Sequence, residues 1–320
     1  MTPPTRSEMH GDISYQVRHM PPIAHRLFVR LYDQPYALLV LTTLMWGGNA
    51  VASRLAIGQI SPMVLTVARW FVAILILGLI GRGRVVADWP LLKSRLGYLV
   101  FLGVIGLTAF NALMYVAAYS TSGVNLTIIQ GAIPVFVLIG AYLAFRAPIR
   151  LVQGIGVLLT LVGLAVIASQ GRLENLLGLK FAFGDVLMVA ASAFYAAYTV
   201  ALQRRPAVSG LGLFTILAGI ACVTGLPLLA GEIVMGRAYW PTPMGWAVLA
   251  YVAIFPSLLA QLLYLRGIDL IGPGRAGIFV NLVPIFGSAL SVLILGEPFG
   301  WYQAVALALV LGGIIWAQRK

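Results

Sequence analysis

Long apolar segments alternate with short polar stretches from residue 36 almost to the end of the chain. Each segment can cross the roughly 30 Å hydrocarbon core of a bilayer as an α-helix. Ten such segments are predicted, at 36–57, 62–81, 95–118, 122–144, 150–168, 181–202, 209–230, 244–266, 272–295 and 300–317. The pattern predicts an all-α integral membrane protein, and its short connections leave no room for an inserted soluble catalytic domain.

The composition agrees with this prediction. Hydrophobic residues make up 61% of the 320 residues, charged residues only 9%, and the mean hydropathy is +0.97. Soluble domains carry about 25% charged residues, so a cytosolic enzyme, a disordered chain and a collagen are all excluded. The single cysteine, Cys222, excludes an intrachain disulfide and a cysteine-based metal site.

The basic residues predict the orientation. The net charge is +12, but the Lys and Arg residues are scattered between apolar segments and form no single stripe, which argues against a nucleic-acid partner. Sixteen of them lie before the first segment, in the even-numbered loops or at the C-terminus, whereas only Arg172, Lys180 and Arg237 lie on the other side. By the positive-inside rule, both termini are predicted to be cytoplasmic.

Residues 1–34 are predicted to form a polar cytoplasmic tail, without the apolar core of a cleavable signal peptide. Within this tail, Ile23, Leu27 and Leu31 would share one face of a helix lying on the membrane surface. A disordered tail is the alternative.

The rest of the chain divides into two similar repeats, 35–170 and 180–318, with five apolar segments each. At an offset near 150, Ile133–Phe136 matches Val283–Phe286. Because five is an odd number, the second repeat must be inverted relative to the first. Inverted repeats are typical of secondary transporters, whose substrate site lies near the bilayer midplane between the repeats.

Several stretches resemble a known family. MWGGNAVASRLAI at 45–57 and ARWFVAILIL at 68–77 resemble the opening of an EamA domain of the drug/metabolite transporter superfamily, and LVPIFGSALSVLILGEPFGWYQAVALALVLGGIIWA at 282–317 resembles its second part. The overall pattern looks closest to the YddG-type exporters of aromatic and neutral amino acids. The resemblance implies a ten-helix carrier of the bacterial inner membrane that exports amino acids or other small metabolites.

The turn after the fourth segment of each repeat departs from the family pattern in the first half. It reads Gly296-Glu297-Pro298 in the second repeat but Arg146-Ala147-Pro148 in the first. Both turns are expected on the cytoplasmic side, as is Asp185 at the start of the sixth segment. The lost acid is therefore expected to affect packing or topology more than substrate choice.

Polar and aromatic residues at the predicted midplane are the candidates for a substrate site, because hydrocarbon penalises unsatisfied polar groups. They are Trp46, Asn49, Asn111, Tyr115, Gln130, Tyr195, Tyr198, Gln261, Tyr264 and Asn281. The resemblance implies that segments 1, 3, 4, 6, 8 and 9 surround the cavity. Amide and aromatic groups suit a ligand with an apolar body and a zwitterionic head; hydrogen bonding between helices is the alternative role.

Two prolines and two arginines inside the segments have open roles. Pro134 and Pro284 occupy equivalent repeat positions and are predicted to kink their helices as hinges, with a substrate-binding carbonyl as the alternative. Arg54 lies near a helix end and is expected to reach water. Arg69 is deeper and needs water, a carbonyl or another partner. Either arginine could attract a substrate carboxylate.

Absent groups narrow the function further. The predicted midplane holds no Asp, Glu or His, and the sequence has no Walker A motif. The chain is therefore predicted to be no enzyme, to need no cofactor or metal and not to use ATP. It is predicted to be a monomeric inner-membrane transporter, in contact with membrane lipid, that exports aromatic or neutral amino acids downhill by alternating access. Same-fold carriers of sugar phosphates, nucleotide sugars or cationic drugs, and a non-transporting scaffold, are the alternatives.

Overall fold

A computed structural model describes residues 32–177 and 181–318, without the side chains of residues 176, 177, 273 and 274. Within these ranges every regular secondary-structure element is a helix, and no strand is present. The predicted tail lies outside the described residues except for residues 32–34, and so does almost all of its predicted surface segment.

The described chain forms nine helices that are long and apolar enough to cross a membrane, and a tenth that is shorter. The bounds are α1 Pro35–Leu55, α2 Pro62–Ile80, α3 Leu96–Ala117, α4 Gly123–Phe145, α5 Leu151–Ala168, α6 Phe183–Arg204, α7 Gly210–Val234, α8 Pro243–Ile271, α9 Arg275–Leu295 and α10 Trp301–Ala317. The predicted fold class and the number of helices are confirmed. Two further helices were not predicted, a surface helix at Arg82–Ser94 and a short one at Leu173–Leu177.

Local sequence explains where several helices begin. Proline occupies the first turn of α1, α2 and α8, where its missing N–H costs no intrahelical hydrogen bond. Side-chain caps start others: the hydroxyl of Ser209 accepts a hydrogen bond from the backbone N–H of Gly212, and the hydroxyl of Thr242 accepts one from that of Gly245. Such caps satisfy N–H groups that the first turn of a helix leaves unpaired.

The helices pack with the pairing expected of two inverted repeats. Helix α1 packs against α8 and α9, and its counterpart α6 packs against α3 and α4. Helix α2 packs against α7, and α5 against α10. Glycines allow the closest approaches: a Cβ on Gly47 of α1 would lie only 2.7 Å from the backbone N of Gly287 in α9.

Two carboxylates repeat this symmetry at opposite ends of the bundle. Glu232, which ends α7, accepts a hydrogen bond from the Ser61 hydroxyl at 2.7 Å at the start of α2. Asp88, which follows α2, accepts one from the Ser209 hydroxyl at 2.6 Å at the start of α7. Each repeat thus supplies a carboxylate that caps the equivalent helix of the other repeat.

The described chain begins and ends at one end of the bundle, called here the terminal face. Arg266 of α8 forms an ion pair with Asp33 there at 2.8 Å. The Asn281 amide donates a hydrogen bond to the Gln318 side chain at 3.3 Å, which joins a turn within α9, at Val280–Leu282, to the end of α10. The other end is called the opposite face.

Glu297 and Asp185 lie at the opposite face, so their predicted placement on the side of the termini is wrong. Glu297 accepts a hydrogen bond from the backbone N–H of Gly123 at 3.0 Å, at the start of α4. Asp185 accepts one from the hydroxyl of Thr121, just before α4. The reason is the odd number of helices in each repeat, which places equivalent turns of the two repeats at opposite ends of the bundle.

Candidate substrate cavity

A cavity of about 900 Å³ occupies the centre of the bundle. Its deep end is lined by buried polar residues, among them Asn49, Arg69 and Asn111. Its lining continues to exposed residues at the terminal face, including Arg205 and Gln318. The cavity therefore opens toward the terminal face and ends within the bundle on the other side.

The structure brings eight of the ten predicted site residues to the cavity wall. They are Trp46, Asn49, Asn111, Gln130, Tyr195, Tyr198, Gln261 and Tyr264. Tyr115 is not on the wall; it is 1% exposed and packs behind Arg69. Asn281 is also not on the wall but bonds to Gln318, which is. Residues of α2 and α7 line the cavity too, although the family resemblance did not imply them.

Arg69 lies at the deep end of the cavity, and the residue is only 3% exposed. Its Nε donates a hydrogen bond to the Ser257 hydroxyl at 2.8 Å. Its Nη1 donates to Asn111 Oδ1 at 2.5 Å and to the Tyr115 hydroxyl. All three partners are neutral, and among the described residues Arg69 has no acidic partner. A buried charge without a counter-ion is costly, so this arginine is the most unusual group in the cavity.

Two π-helical segments lie in the helices that contact Arg69. Helix α3 has a π-helical segment at Val104–Ala109, and α8 has one at Ala253–Leu259. These segments occupy equivalent positions in the two repeats, and such segments are frequent at functional sites. Ser257 lies within the second of them. The sequence signal that could have revealed this segment is Pro256, a proline inside an otherwise regular apolar run.

Intrahelical hydrogen bonds orient the groups that hold Arg69. The Asn111 amide nitrogen donates to the backbone carbonyl of Leu107 at 2.6 Å, which leaves Asn111 Oδ1 as the acceptor for Arg69. The Ser257 hydroxyl donates to the backbone carbonyl of Val252, so its oxygen is likewise directed to Arg69. The acceptors are thus fixed before any ligand arrives.

Aromatic pairs form two walls of the cavity. On one side, the rings of Trp46 and Tyr264 have centroids 5.1 Å apart, and the Trp46 indole donates to the Pro256 carbonyl at 3.2 Å. On the other side, the rings of Phe110 and Tyr195 lie 5.0 Å apart. Aromatic surfaces at such separations can stack against a further ring or an apolar side chain.

The charged residues of the cavity wall all carry the same sign. They are Arg69 at the deep end and Arg205 and Arg275 toward the terminal face. No Asp, Glu or His lines the cavity within the described part of the chain, and no cluster of metal-binding side chains occurs there. The one unsatisfied acceptor on the wall is Gln130 Oε1, which is buried without a hydrogen-bond partner among the described residues.

Helices α4 and α9 are interrupted near the middle, just before the two predicted hinge prolines. In α4, Gly123–Gln130 ends and a new helix, Ile133–Phe145, begins with Pro134 in its first turn. In α9, a 3₁₀ turn at Val280–Leu282 precedes the segment that carries Pro284 in its first turn. Pro134 lines the cavity and Pro284 does not.

The opposite face is closed by an ion pair. Arg54 was expected to reach water, and its side chain is 31% exposed. Its Nε also lies 3.1 Å from Glu297 Oε1, and its Nη1 donates to the Ala118 carbonyl at 2.5 Å. Nearby, the hydroxyls of Tyr119 and Tyr239 share a hydrogen bond of 2.8 Å. Partial burial and this hydrogen bond raise the pKa of Tyr119.

Comparison with known proteins adds three findings. A family model described as the EamA-like transporter family matches residues 34–169 and again 182–318. The chain is similar to the uncharacterized transporter YyaM of Bacillus subtilis, at 28% identity over 88% of this chain and 93% of that protein. It is also similar to the uncharacterized inner membrane transporter YedA of Escherichia coli K12, at 23% identity over 91% of both.

A solved structure described only as a crystal structure of a protein covers 88% of this chain and 96% of its own, with a TM-score of 0.60 and 18% sequence identity. This likeness supports the fold and does not bear on the substrate.

Proposed function

The chain belongs to the EamA-like transporter family and is a multi-span membrane transporter, and we propose that it exports small amphipathic carboxylates, with aromatic and neutral amino acids as the first candidates. The observation that carries this proposal is Arg69, a guanidinium buried at the end of the cavity with only neutral partners. A substrate carboxylate would supply the missing counter-charge.

The free hydrogen-bonding capacity of Arg69 defines how the carboxylate binds. Its Nε and Nη1 are engaged by Ser257, Asn111 and Tyr115, whereas its Nη2 has no acceptor among the described residues. A carboxylate at Nη2 would make charge-assisted hydrogen bonds in a region of low dielectric. Since the three partners hold the guanidinium in place, little side-chain entropy is lost when the substrate binds.

The apolar part of the substrate would lie between the aromatic walls. The pair Trp46 and Tyr264 and the pair Phe110 and Tyr195 offer stacking surfaces. An amino-acid ammonium group would bind Gln130 Oε1, an acceptor that has no other partner. A neutral amide holds an ammonium weakly compared with a carboxylate, and the cavity of about 900 Å³ is roomy. Modest affinity and broad specificity therefore follow.

The charge of the cavity separates the alternatives. Three arginines and no lining acid, among the described residues, disfavour cationic drugs. An organic anion without an ammonium group is the second candidate, because Arg205 and Arg275 add positive charge on the way to the terminal face. A sugar phosphate would need several basic groups converging at the deep end, and only Arg69 lies there.

The open side determines from which side this conformation can load substrate. If the termini are cytoplasmic, as the basic residues predict, the cavity faces the cytoplasm and the opposite face is closed. Alternating access would then require the Arg54–Glu297 closure to open and the terminal face to close. We propose that the two repeats rock about Pro134 and Pro284 during this change, and that the protein acts as a monomer in the inner membrane.

Counterflow in liposomes tests the substrate class. Purified protein would be reconstituted in liposomes loaded with unlabelled phenylalanine, and uptake of labelled phenylalanine would be competed by phenethylamine, which lacks the carboxylate, and by 3-phenylpropionate, which lacks the ammonium. We expect competition by phenylpropionate and none by phenethylamine. Competition by phenethylamine alone would contradict the proposed role of Arg69, and absence of phenylalanine counterflow would exclude this substrate.

A further inference from the structure

A second concave region lies on the outer surface of the bundle, away from the central cavity. It is an apolar groove of about 320 Å³ between α2, α3, α7 and the surface helix Arg82–Ser94. Its lining includes Ile74, Trp89, Leu96, Val100, Ile220 and Val223. It shares no lining residue with the central cavity. This outer groove is too apolar and too open to the surroundings to hold a polar substrate.

The surface helix presents one amphipathic face beside the outer groove. Arg82, Val86, Trp89 and Lys93 follow one another at spacings of four, three and four residues, which places them on the same helix face. Val86 is 66% exposed and Trp89 45% exposed. This face therefore has basic residues at both ends and apolar residues between them, a pattern typical of helices at the membrane surface.

The acidic residue of the surface helix is already engaged. Asp88 accepts hydrogen bonds from the backbone N–H of Ser209 at 2.9 Å and from its hydroxyl at 2.6 Å. This contact anchors the surface helix to the start of α7. It also leaves the positive charges of Arg82, Lys93 and Arg95 without a carboxylate partner among the described residues.

We propose that the outer groove and the surface helix together form a binding site for an anionic phospholipid. One acyl chain would occupy the groove, and the negatively charged phosphate would lie beside the surface helix, attracted by Arg82 and Lys93 near its two ends. The groove follows α7 from Thr215 to Thr224, a rise of about 14 Å at 1.5 Å per residue, so it accommodates much of one leaflet's acyl chain. A zwitterionic lipid would bind more weakly, because its choline cation opposes the attraction between its phosphate and the basic residues, and a neutral detergent would fill the groove without that attraction.

Charge explains why the headgroup matters. Basic residues next to a membrane attract anionic lipids, and this attraction falls off within a Debye length. Trp89 of the surface helix lines the groove, and Arg82 and Lys93 share its helix face, so their charge acts on the headgroup of a lipid whose chain lies in the groove. The site differs in this respect from the remaining lipid-facing surface of α2 and α7, which is apolar along its length.

Lipid retention tests this proposal. The full-length protein, purified in a neutral detergent, would be mixed with equimolar phosphatidylglycerol and phosphatidylcholine of identical acyl chains, and bound lipids would be counted by native mass spectrometry. We expect preferential retention of phosphatidylglycerol. The double variant Arg82→Gln/Lys93→Gln should lose this preference, whereas the charge-matched control Arg146→Gln/Arg150→Gln, on another loop of the terminal face, should keep it.

Thermal unfolding provides a second readout. Phosphatidylglycerol should raise the Tm of the wild type more than phosphatidylcholine does, and this difference should vanish in Arg82→Gln/Lys93→Gln. Equal retention of the two lipids by the wild type, or an unchanged preference in the double variant, would overturn the proposal. If the double variant does not fold, the wild-type comparison of the two lipids still decides the proposal, as does Gly219→Leu, which fills the groove and should lower the retention of phosphatidylglycerol.

Discussion

Arg54 and Glu297 are 243 residues apart in the sequence and form an ion pair at the opposite face, with Nε 3.1 Å from Oε1. The same carboxylate accepts hydrogen bonds from the backbone N–H groups of Gly123 and Val124 at 3.0 and 3.1 Å. One side chain thus joins the end of α1, the start of α4 and the turn between α9 and α10. Since the cavity lies between these helices, the pair keeps its opposite end closed.

Removal of this carboxylate should loosen the opposite face. In Glu297→Ala, the first N–H groups of α4 lose their cap and Arg54 loses its counter-ion, at a cost of about 1–3 kcal/mol for the unpaired groups. Hydrogen–deuterium exchange should become faster at Gly123 and Val124. The control Glu174→Ala, at an exposed position, should leave it unchanged. Wild-type exchange rates in Glu297→Ala would show that the ion pair does not hold this end.

The equivalent position in the first repeat lacks the acid, which makes the two faces unequal. At the offset of 150, Glu297 corresponds to Ala147, and Arg204 lies in the last turn of α6 as Arg54 lies in the last turn of α1. Arg204 stacks on the Phe145 ring at 4.8 Å instead of pairing with a carboxylate. Among the described residues, the terminal face therefore has no counterpart of the Arg54–Glu297 pair, in keeping with a cavity open on that side.

Restoring the acid should favour closure of the terminal face. In Ala147→Glu, the new carboxylate can pair with Arg204 when the terminal face closes. The protein would also carry Arg205→Cys, Arg275→Cys and Cys222→Ala, with spin labels on the two new cysteines. Double electron–electron resonance should then report a shorter distance between the two labels. Ala147→Gln is the matched uncharged control. An identical distance distribution in the Glu and Gln variants would contradict this explanation.

Trp46 should contribute through both its ring and its indole N–H. Trp46→Phe keeps the packing against Tyr264 but removes the hydrogen bond to the Pro256 carbonyl, which is worth about 0.5–1.5 kcal/mol. Because the bond holds the ring in place for the substrate, we expect an increase in the counterflow KM of at most about tenfold in Trp46→Phe, and a larger one in Trp46→Ala. Equal KM values for the wild type and Trp46→Ala would remove this wall from the substrate site.

Close packing of α1 and α9 should make Gly47 intolerant of a side chain. A Cβ there would lie 2.7 Å from the backbone N of Gly287, so Gly47→Ala should destabilise the fold by about 1–3 kcal/mol. The control is Gly78→Ala in α2, where a Cβ meets no atom within 4 Å and a helical alanine is favoured over glycine. Thermal unfolding should rank Gly78→Ala at or above the wild type and Gly47→Ala below it.

The periodic features of the fold could be predicted from the sequence. The ten apolar segments, the doubling and the odd number of helices per repeat are carried by hydrophobicity and local spacing, and they are present in the structure. The surface helix Arg82–Ser94 was missed because it is too short and polar to produce a membrane-spanning signal. The placement of Glu297 was wrong because the inversion was not applied to its turn.

The site could be predicted only in part. Depth and spacing placed eight of the ten predicted residues on the cavity wall, because each position depends on its own helix, but most of the wall was not predicted. The partners of Arg69 could not be identified in this way, since Asn111 is 42 and Ser257 188 residues distant in the sequence. Their approach depends on the packing of α2 between α3 and α8 and on the π-helical segments, which no pattern within one helix specifies.

Phenylalanine counterflow by Arg69 variants in liposomes tests most directly whether Arg69 binds the substrate. Loss of a charge-assisted hydrogen bond costs about 1.5–3 kcal/mol, so Arg69→Gln should lower kcat/KM by about tenfold or more, and Arg69→Lys, which keeps the charge, should lower it less. Arg237→Gln, at an exposed site outside the cavity, is the control and should transport normally. Wild-type kcat/KM in folded Arg69→Gln protein would contradict the claim that this arginine binds the substrate carboxylate.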